Sequence, residues 1–168
     1  MKHNNHDSLM MIRPAKETDV GLLAEFIRSI AEYEKRLDQV VADEAILRES
    51  FFGSRPSAEA LIAQWDDKPA GFAVYFENFS TFMGRSGLYL EDLYVKPEYR
   101  RKGIGKALVS HLAAIALKKG CPRFEWAALG WNRNAIDLYE KWGAKELTDL
   151  RLFRLSGENL AKVAGSSC

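Results

Sequence analysis

The segment from Leu90 to Leu108 passes from an aromatic and branched stretch through Arg100-Arg101-Lys102 into Gly103-Ile104-Gly105-Lys106 and an apolar, helically spaced run. Residues of these types in this order suit anion binding. A helix start exposes backbone N–H groups that have no intrahelical partner and carries partial positive charge, so phosphates are favoured there. Gly103 and Gly105 let the backbone come close to such a ligand, and three cations add charge against a pyrophosphate and a further phosphate. The phosphate loop of ATPases requires GxxxxGK[ST], and Gly103-Ile104-Gly105-Lys106-Ala107 fails it in spacing and in the missing hydroxyl. A dinucleotide fingerprint requires GxGxxG directly after a strand, whereas Leu108 stands at the third glycine and seven residues separate Val95 from Gly103. Glu125 does fall about 20 residues on, where a ribose-binding acid would be, so that reading stays open. The plainest alternative is a charged loop entering a surface helix.

Other reactive side chains are more scattered. Glu32, Tyr33 and Glu34 make an acidic and aromatic corner that could draw in and line a cationic amine, or could be a solvated helix end. Tyr139 sits with Leu138 and Trp142 on a helical stretch, where a tyrosine can simply pack. Cys121, between Gly120 and Pro122 with no histidine near it in sequence, reads as a small apolar filler rather than a nucleophile. His3 and His6 lie in a polar leader without an accompanying carboxylate or cysteine cluster, so no metal site is expected.

The elements that must carry these groups follow from periodicity. Met10 to Arg13 reads as a strand stopped by Pro14. Leu22, Leu23, Phe26, Ile27 and Ile30 mark a first helix, capped by Thr18 or Asp19 and ending near Glu34 to Leu37. A short helix is expected from Asp43 to Phe52. Ala58 to Trp65 and Ala70 to Phe79 form a hairpin about the turn Asp66-Asp67-Lys68-Pro69. After Gly84 to Gly87 comes a strand from Leu88 to Val95, ended by Pro97. A long helix follows Gly103 and stops at Gly120, and then come a strand from Arg123 to Ala128 and a helix ending at Gly143. Two short strands near Lys145 to Thr148 and Arg151 to Leu155 are expected to complete the sheet. The fold class is therefore mixed α/β: a helix pair, an antiparallel meander, then a strand-helix-strand unit.

At 168 residues, 47% hydrophobic and 28% charged, the chain is expected to make one domain over residues 10–168 behind a flexible leader, 1–9. A net charge of +1 gives little support to nucleic-acid binding. Two cysteines, Cys121 and Cys168, cannot build a disulfide framework, and no apolar run approaches bilayer length, so a cytoplasmic, membrane-free setting is expected.

Arg100-Arg101-Lys102-Gly103-Ile104-Gly105 resembles the Arg/Gln-x-x-Gly-x-Gly/Ala signature of the GNAT acetyltransferases, and Trp131 through Tyr139 with Gly143-Ala144 is similar to that family's second cofactor segment. Leu90-Glu91-Asp92, Tyr33-Glu34 and Trp131-Asn132 resemble its diamine (spermidine/spermine) and thialysine branch. The chain departs from that branch in carrying Phe82-Met83-Gly84 where a tryptophan is usual. The resemblance implies the GNAT fold, a mostly antiparallel central sheet flanked by helices. It implies acetyl transfer from acetyl-CoA to a small primary amine by direct attack, in a homodimer.

Residue by residue, it implies Leu93, Tyr94 and Val95 along the pantetheine arm and Arg100, Arg101, Lys102, Gly103, Ile104, Gly105 and Lys106 around the pyrophosphate. Asn132 would help to hold the arm. An amine of pKa about 10.4 must lose a proton before it attacks. The resemblance gives that task to Glu91, acting through water, with Asp92, Tyr33 and Glu34 around the amine. It gives protonation of the leaving thiolate to Tyr139. Adjacent acids point to opposite faces of an ideal strand, so Glu91 and Asp92 share one job only where a bulge re-aims one of them. A non-catalytic acyl-CoA sensor on the same fold would keep Gly103 and Gly105 but tolerate loss of Tyr139 and Glu91.

Overall fold

A computed structural model describes residues 9–165; the leader expected at 1–9 lies outside the described residues except for Leu9, as does Cys168. Five strands form one sheet in chain order: β1 (Met10–Pro14), β2 (Glu59–Trp65), β3 (Lys68–Ser80), β4 (Arg85–Val95) and β5 (Phe124–Trp126). The first three pairings are antiparallel and β4 to β5 is parallel. The helices are α1 (Val20–Tyr33), α2 (Glu44–Phe52), α3 (Ile104–Lys118), α4 (Arg133–Lys141) and α5 (Gly157–Gly165). The chain divides into two compact units, one running through Ala127 and the other starting at Ala128.

In the first unit the alternation of the strands sorts the core. Ala60, Ile62, Phe72 and Val74 join Leu23 and Phe26 of α1 in one buried cluster, edged by Phe51 and Phe52 of α2. Phe26 stacks on Phe72 with ring centroids 5.0 Å apart. The alternate residues Leu61, Ala63 and Ala73 are also fully buried, as are Ile104, Leu108 and Leu112 on α3, which contacts β1 to β4.

Turn chemistry fixes the boundaries. Asp66 and Asp67 both take left-handed φ (49° and 61°), giving a two-residue loop of the kind that matches strand twist, and Trp65 pairs with Lys68 across it. Asp19 begins α1, but its carboxylate is spent on Arg13 (2.7 and 2.9 Å) and the Lys16 N–H (2.8 Å), pinning the β1–α1 connection rather than capping the helix. Asp43 does cap α2, accepting from the Ile46 N–H at 2.8 Å.

The end of α1 bears on the site. The Lys35 N–H bonds the Glu32 carbonyl (3.0 Å) and the Arg36 N–H the Ala31 carbonyl (2.7 Å), with Lys35 at φ 59°. This is the double-bonded helix stop usually built on glycine, here carried by lysine. Helix α3 ends in the same way on Gly120, bonded through its N–H to Leu117 (3.1 Å), with the Cys121 N–H on Ala116 (2.9 Å).

The second unit holds α4 and α5. The strands expected near Lys145 to Thr148 and Arg151 to Leu155 do not form: among the described residues, 144–156 contain no strand. A strand exists only through ladder partners, and in this chain Leu147, Leu150, Leu152, Phe153 and Leu155 stay exposed. Helix α5 was not anticipated. The strand expected over Arg123 to Ala128 is limited to Phe124–Trp126, pairing with Leu88 to Leu90.

Candidate active site

The site in the first unit is built around an irregularity in β4. Val74 pairs with Asp92 and the next residue of β3, Tyr75, pairs with Leu90, so Glu91 is the extra residue of a β-bulge. A bulge kinks and twists its strand and turns side chains from strict alternation. Here it lets two consecutive acids act on one another: the Asp92 carboxyl is pushed up to about 6 by burial first, then by the negative charges of Glu91 and Glu34. Glu91 is exposed and Asp92 half-buried.

Glu34 is the residue at which α1 stops, so the helix end delivers Tyr33 and Glu34 to the bulge. Lys96, just past β4, holds that helix in place with an ion pair to Glu25 (2.9 Å) and with its ammonium 5.4 Å from the Phe26 ring centroid. The guanidinium of Arg100 lies 5.1 Å from the Tyr33 ring centroid and 5.9 Å from that of Tyr94, and its Nε donates to the Val95 carbonyl at 3.1 Å. Tyr33, Glu34, Glu91, Asp92, Tyr94 and Arg100 thus form one acidic, aromatic corner. It already accommodates a cationic side chain, which is the chemistry a protonated amine would need.

Next to this corner is the phosphate cradle. Pro97–Tyr99 make a short helical turn, Arg101 takes φ 63° and Gly103 φ 81°, and α3 starts at Ile104. The Ala107 N–H is the first to reach back, to Gly103 at 2.9 Å. The N–H groups of Ile104, Gly105 and Lys106 therefore begin the helix without a carbonyl one turn behind them. A Cβ placed on Gly103 would meet nothing within 4 Å, so the space over the turn is open and it is the left-handed backbone, not crowding, that favours glycine. Close approach governs Gly71 instead: a Cβ there would come within 2.6 Å of the Tyr94 carbonyl oxygen. That packing, with the Lys96 N–H on the Ala70 carbonyl (2.9 Å), brings the β2–β3 hairpin against the end of β4.

These features fit a coenzyme A pyrophosphate: an open helix start, a glycine at left-handed φ, and Arg101, Lys102 and Lys106 nearby. They would hold the phosphates by backbone N–H groups and charge, with Leu93 and Val95 supplying strand backbone for an extended chain. Arg100 differs from expectation in that its side chain faces the aromatic corner.

In the second unit, Asn132 caps α4, its side-chain oxygen accepting from the Ala135 N–H at 3.4 Å. Tyr139 is half-buried beside Trp142 (centroids 5.7 Å apart), and burial raises the affinity of its phenol for its proton. That keeps it a donor at neutral pH. Glu125 is occupied by Arg123 (3.0 Å) and Asn78 (3.2 Å), which removes the acid that a dinucleotide ribose would need. Among the described residues no group of three or more His, Cys, Asp or Glu side chains is arranged to hold a metal ion. No described helix is long and apolar enough to cross a membrane.

Sequence reasoning recognised the pair Glu91-Asp92 but had no signal for which acid is buried. Trp65 was read only as a strand end, and nothing in the sequence marks it for the site: the hairpin geometry brings it to Lys102, whose ammonium lies 4.8 Å from its ring centroid.

A bulged antiparallel strand that runs through an anion-binding turn into a helix, beside an acidic corner, defines an acyl-CoA-dependent transferase of the N-acyltransferase kind. The acetyltransferase (GNAT) family profile matches residues 24–144. Over 94% of this chain and 99% of its own length, the thialysine N-epsilon-acetyltransferase of Bos taurus is 42% identical. The L-ornithine N5-acetyltransferase of Arabidopsis thaliana is 29% identical over 94% of this chain and 89% of its own. Among solved structures, an integron cassette protein from the mobile metagenome of V. cholerae superposes with a TM-score of 0.78 at 30% identity, covering 94% of this chain and 98% of that one. An aminoglycoside N-acetyltransferase solved in complex with CoA shares the fold, with a TM-score of 0.72 at 17% identity over 90% and 97% of the two chains. The chain belongs to the GNAT acetyltransferase family and is an amine N-acetyltransferase with acetyl-CoA as donor.

Proposed function

We propose that the chain works as one domain over residues 10–168 and that the amine it acetylates is a small diamine-like molecule of the thialysine type, taken up in the corner of Tyr33, Glu34, Glu91, Asp92 and Tyr94. The observation that carries this reading is the bulge at Glu91, which together with the stop of α1 at Glu34 sets two further carboxylates beside the half-buried Asp92. A molecule with two cationic nitrogens answers that charge: one ammonium stays paired with Glu34 while the other gives up its proton. The relatives named for thialysine support the same class.

Acetyl-CoA supplies an activated thioester. The residues do the rest. The proton acceptor expected from sequence is Glu91; the environment favours its neighbour Asp92 as the group that finally takes the proton, since a base with a pKa near 6 is ionised at pH 7 yet closer to the amine's own affinity than an ordinary carboxylate. Glu91 then passes the proton through water and, by its charge, raises Asp92. Arg101, Lys102 and the N–H groups at the start of α3 hold the phosphates, and Leu93, Tyr94 and Val95 align the arm along β4. Tyr139 donates the proton to the departing sulfur, and Asn132 holds the segment that carries it by capping α4.

The protein acts as a homodimer in a reducing cytoplasm, on this reading. The exposure of Leu147, Leu150, Leu152, Phe153 and Leu155, five large apolar residues close together in the chain, supports association, because so many are seldom all left to water. The buried free thiol Cys121 suits the compartment.

Coenzyme A thiol release measured against thialysine, lysine, ornithine, polyamines, aminoglycosides and peptides tests the assignment. Turnover highest on a short diamine such as thialysine is the expected result. Cofactor binding with no turnover on any amine would leave a sensor instead.

A further inference from the structure

Among the described residues, Lys102 pairs with no carboxylate and no backbone carbonyl. Its ammonium stands between two aromatic faces, 4.8 Å from the Trp65 ring centroid and 5.5 Å from that of Tyr99. Trp65 is the last residue of β2, fixed by pairing with Met10 on one side and Lys68 on the other. Tyr99 closes the turn that begins at Pro97, its N–H on the Lys96 carbonyl at 2.9 Å. Both rings are half-buried and the lysine is exposed. Two rigidly mounted aromatic faces therefore flank the phosphate turn, with a movable cation between them.

We propose that Trp65, Tyr99 and Lys102 seat the adenosine 3′-phosphate end of coenzyme A, the adenine stacking on Trp65 and the 3′-phosphate paired with Lys102. This rests on acetyl-CoA being the donor. A ring face is a modest partner for an exposed ammonium. A phosphate dianion is a stronger one, through charge-assisted hydrogen bonds. The face that the lysine gives up suits a purine, since base–aromatic stacking is favourable for any base. Binding thus exchanges one cation–ring contact for a cation–phosphate and a ring–purine contact at the same place. The two new contacts are coupled, because the lysine must leave the ring for the purine to use it. The cations of the turn divide the work: Arg100 faces the amine corner through Tyr33 and Tyr94, while Lys102 faces the opposite flank of the turn, towards the β2–β3 hairpin.

The experiment is calorimetric titration of the full chain with coenzyme A and with 3′-dephospho-coenzyme A, with tryptophan emission followed alongside. The wild type is expected to bind coenzyme A about tenfold tighter than the dephospho form, as one charge-assisted contact allows. Lys102→Met should bind both forms equally. Trp65→Ala should weaken both by about tenfold, as loss of one stacked base predicts. Trp65→Phe, which keeps a ring and so guards against misfolding, should hold affinity within about twofold and lose most of the emission change that coenzyme A causes. Equal affinity of the wild type for the two forms, or an emission change that survives in Trp65→Phe, would overturn the proposal while leaving acetyl transfer intact. Failure to bind either form would overturn it together with the acetyl-CoA assignment.

Discussion

Asp92→Asn replaces the half-buried carboxyl of the bulge by an amide of nearly the same shape, and its two consequences have opposite signs. In the folded chain the Asp92 carboxyl titrates at about 6, against an ordinary value of 3.8, because burial and the charges of Glu91 and Glu34 disfavour the ionised form. Since the folded state holds this proton more tightly than the unfolded one, stability falls as pH rises from about 4 through about 6 and is level above. The difference of about two pKa units corresponds to an upper bound of about 3 kcal/mol, and solvent access to Asp92 reduces this to about 1–2 kcal/mol. Asp92→Asn should therefore raise Tm at pH 7.5 by about 3–6 °C, with the gain vanishing near pH 4. In the same preparation, turnover with saturating acetyl-CoA should fall by about 10²-fold, the usual contribution of a general base. Scanning calorimetry at the two pH values beside a thiol-release assay checks both. A variant that is less stable than wild type at pH 7.5, or that keeps full turnover, would refute the reasoning.

The pH profile of kcat/KM for the wild type should rise with an inflection near 6, as Asp92 loses its proton, and Glu34→Gln should move that inflection down by removing one of the charges that raise it. Tyr139→Phe should lose about 10²-fold in kcat with coenzyme A affinity unchanged by calorimetry, whereas equal turnover would remove the phenol from the reaction. Gly103→Ala forces a Cβ onto a backbone at φ 81°; it should cost about 1–2 kcal/mol in urea unfolding. In the homodimer proposed above, Leu152→Asp with Phe153→Asp should leave a monomer by light scattering, both side chains being more than four-fifths exposed in the single chain.

The sequence was readable where one element's own chemistry decides its form. The paired aspartates Asp66 and Asp67 demand a tight hairpin, and the glycines before Ile104 and after Lys119 mark both ends of α3. Reading failed where form depends on a partner remote in sequence. Lys145 to Thr148 and Arg151 to Leu155 are short enough and apolar enough to read as strands, yet composition states only that side chains want burial, and no ladder forms among the described residues. The end of α1 was placed within a few residues, but nothing in Glu34-Lys35-Arg36 announces a helix stop of the glycine type, because lysine seldom occupies that position. The carboxylate pair was visible; its unequal burial was not, since that follows from a one-residue offset between β3 and β4.

That offset is where fold and chemistry meet. Without it, Asp92 and Glu91 would project to opposite faces of β4, and one of them would lie among the residues that pack against α3. A regular strand could then offer the amine a single carboxylate with the proton affinity of a solvated acid. The bulge brings the second charge close, and the stop of α1 at Tyr33 adds a third from Glu34. Each additional negative charge raises the affinity of Asp92 for a proton and would strengthen attraction for a cationic substrate, so under the proposed assignment recognition and base strength are set by the same groups. Under that assignment, substitutions at Glu34 or Glu91 cannot weaken amine binding without also weakening the base. A neutral replacement at either position should lower kcat at high pH as well as raise KM, and a change in KM alone would show that the two acids serve binding only.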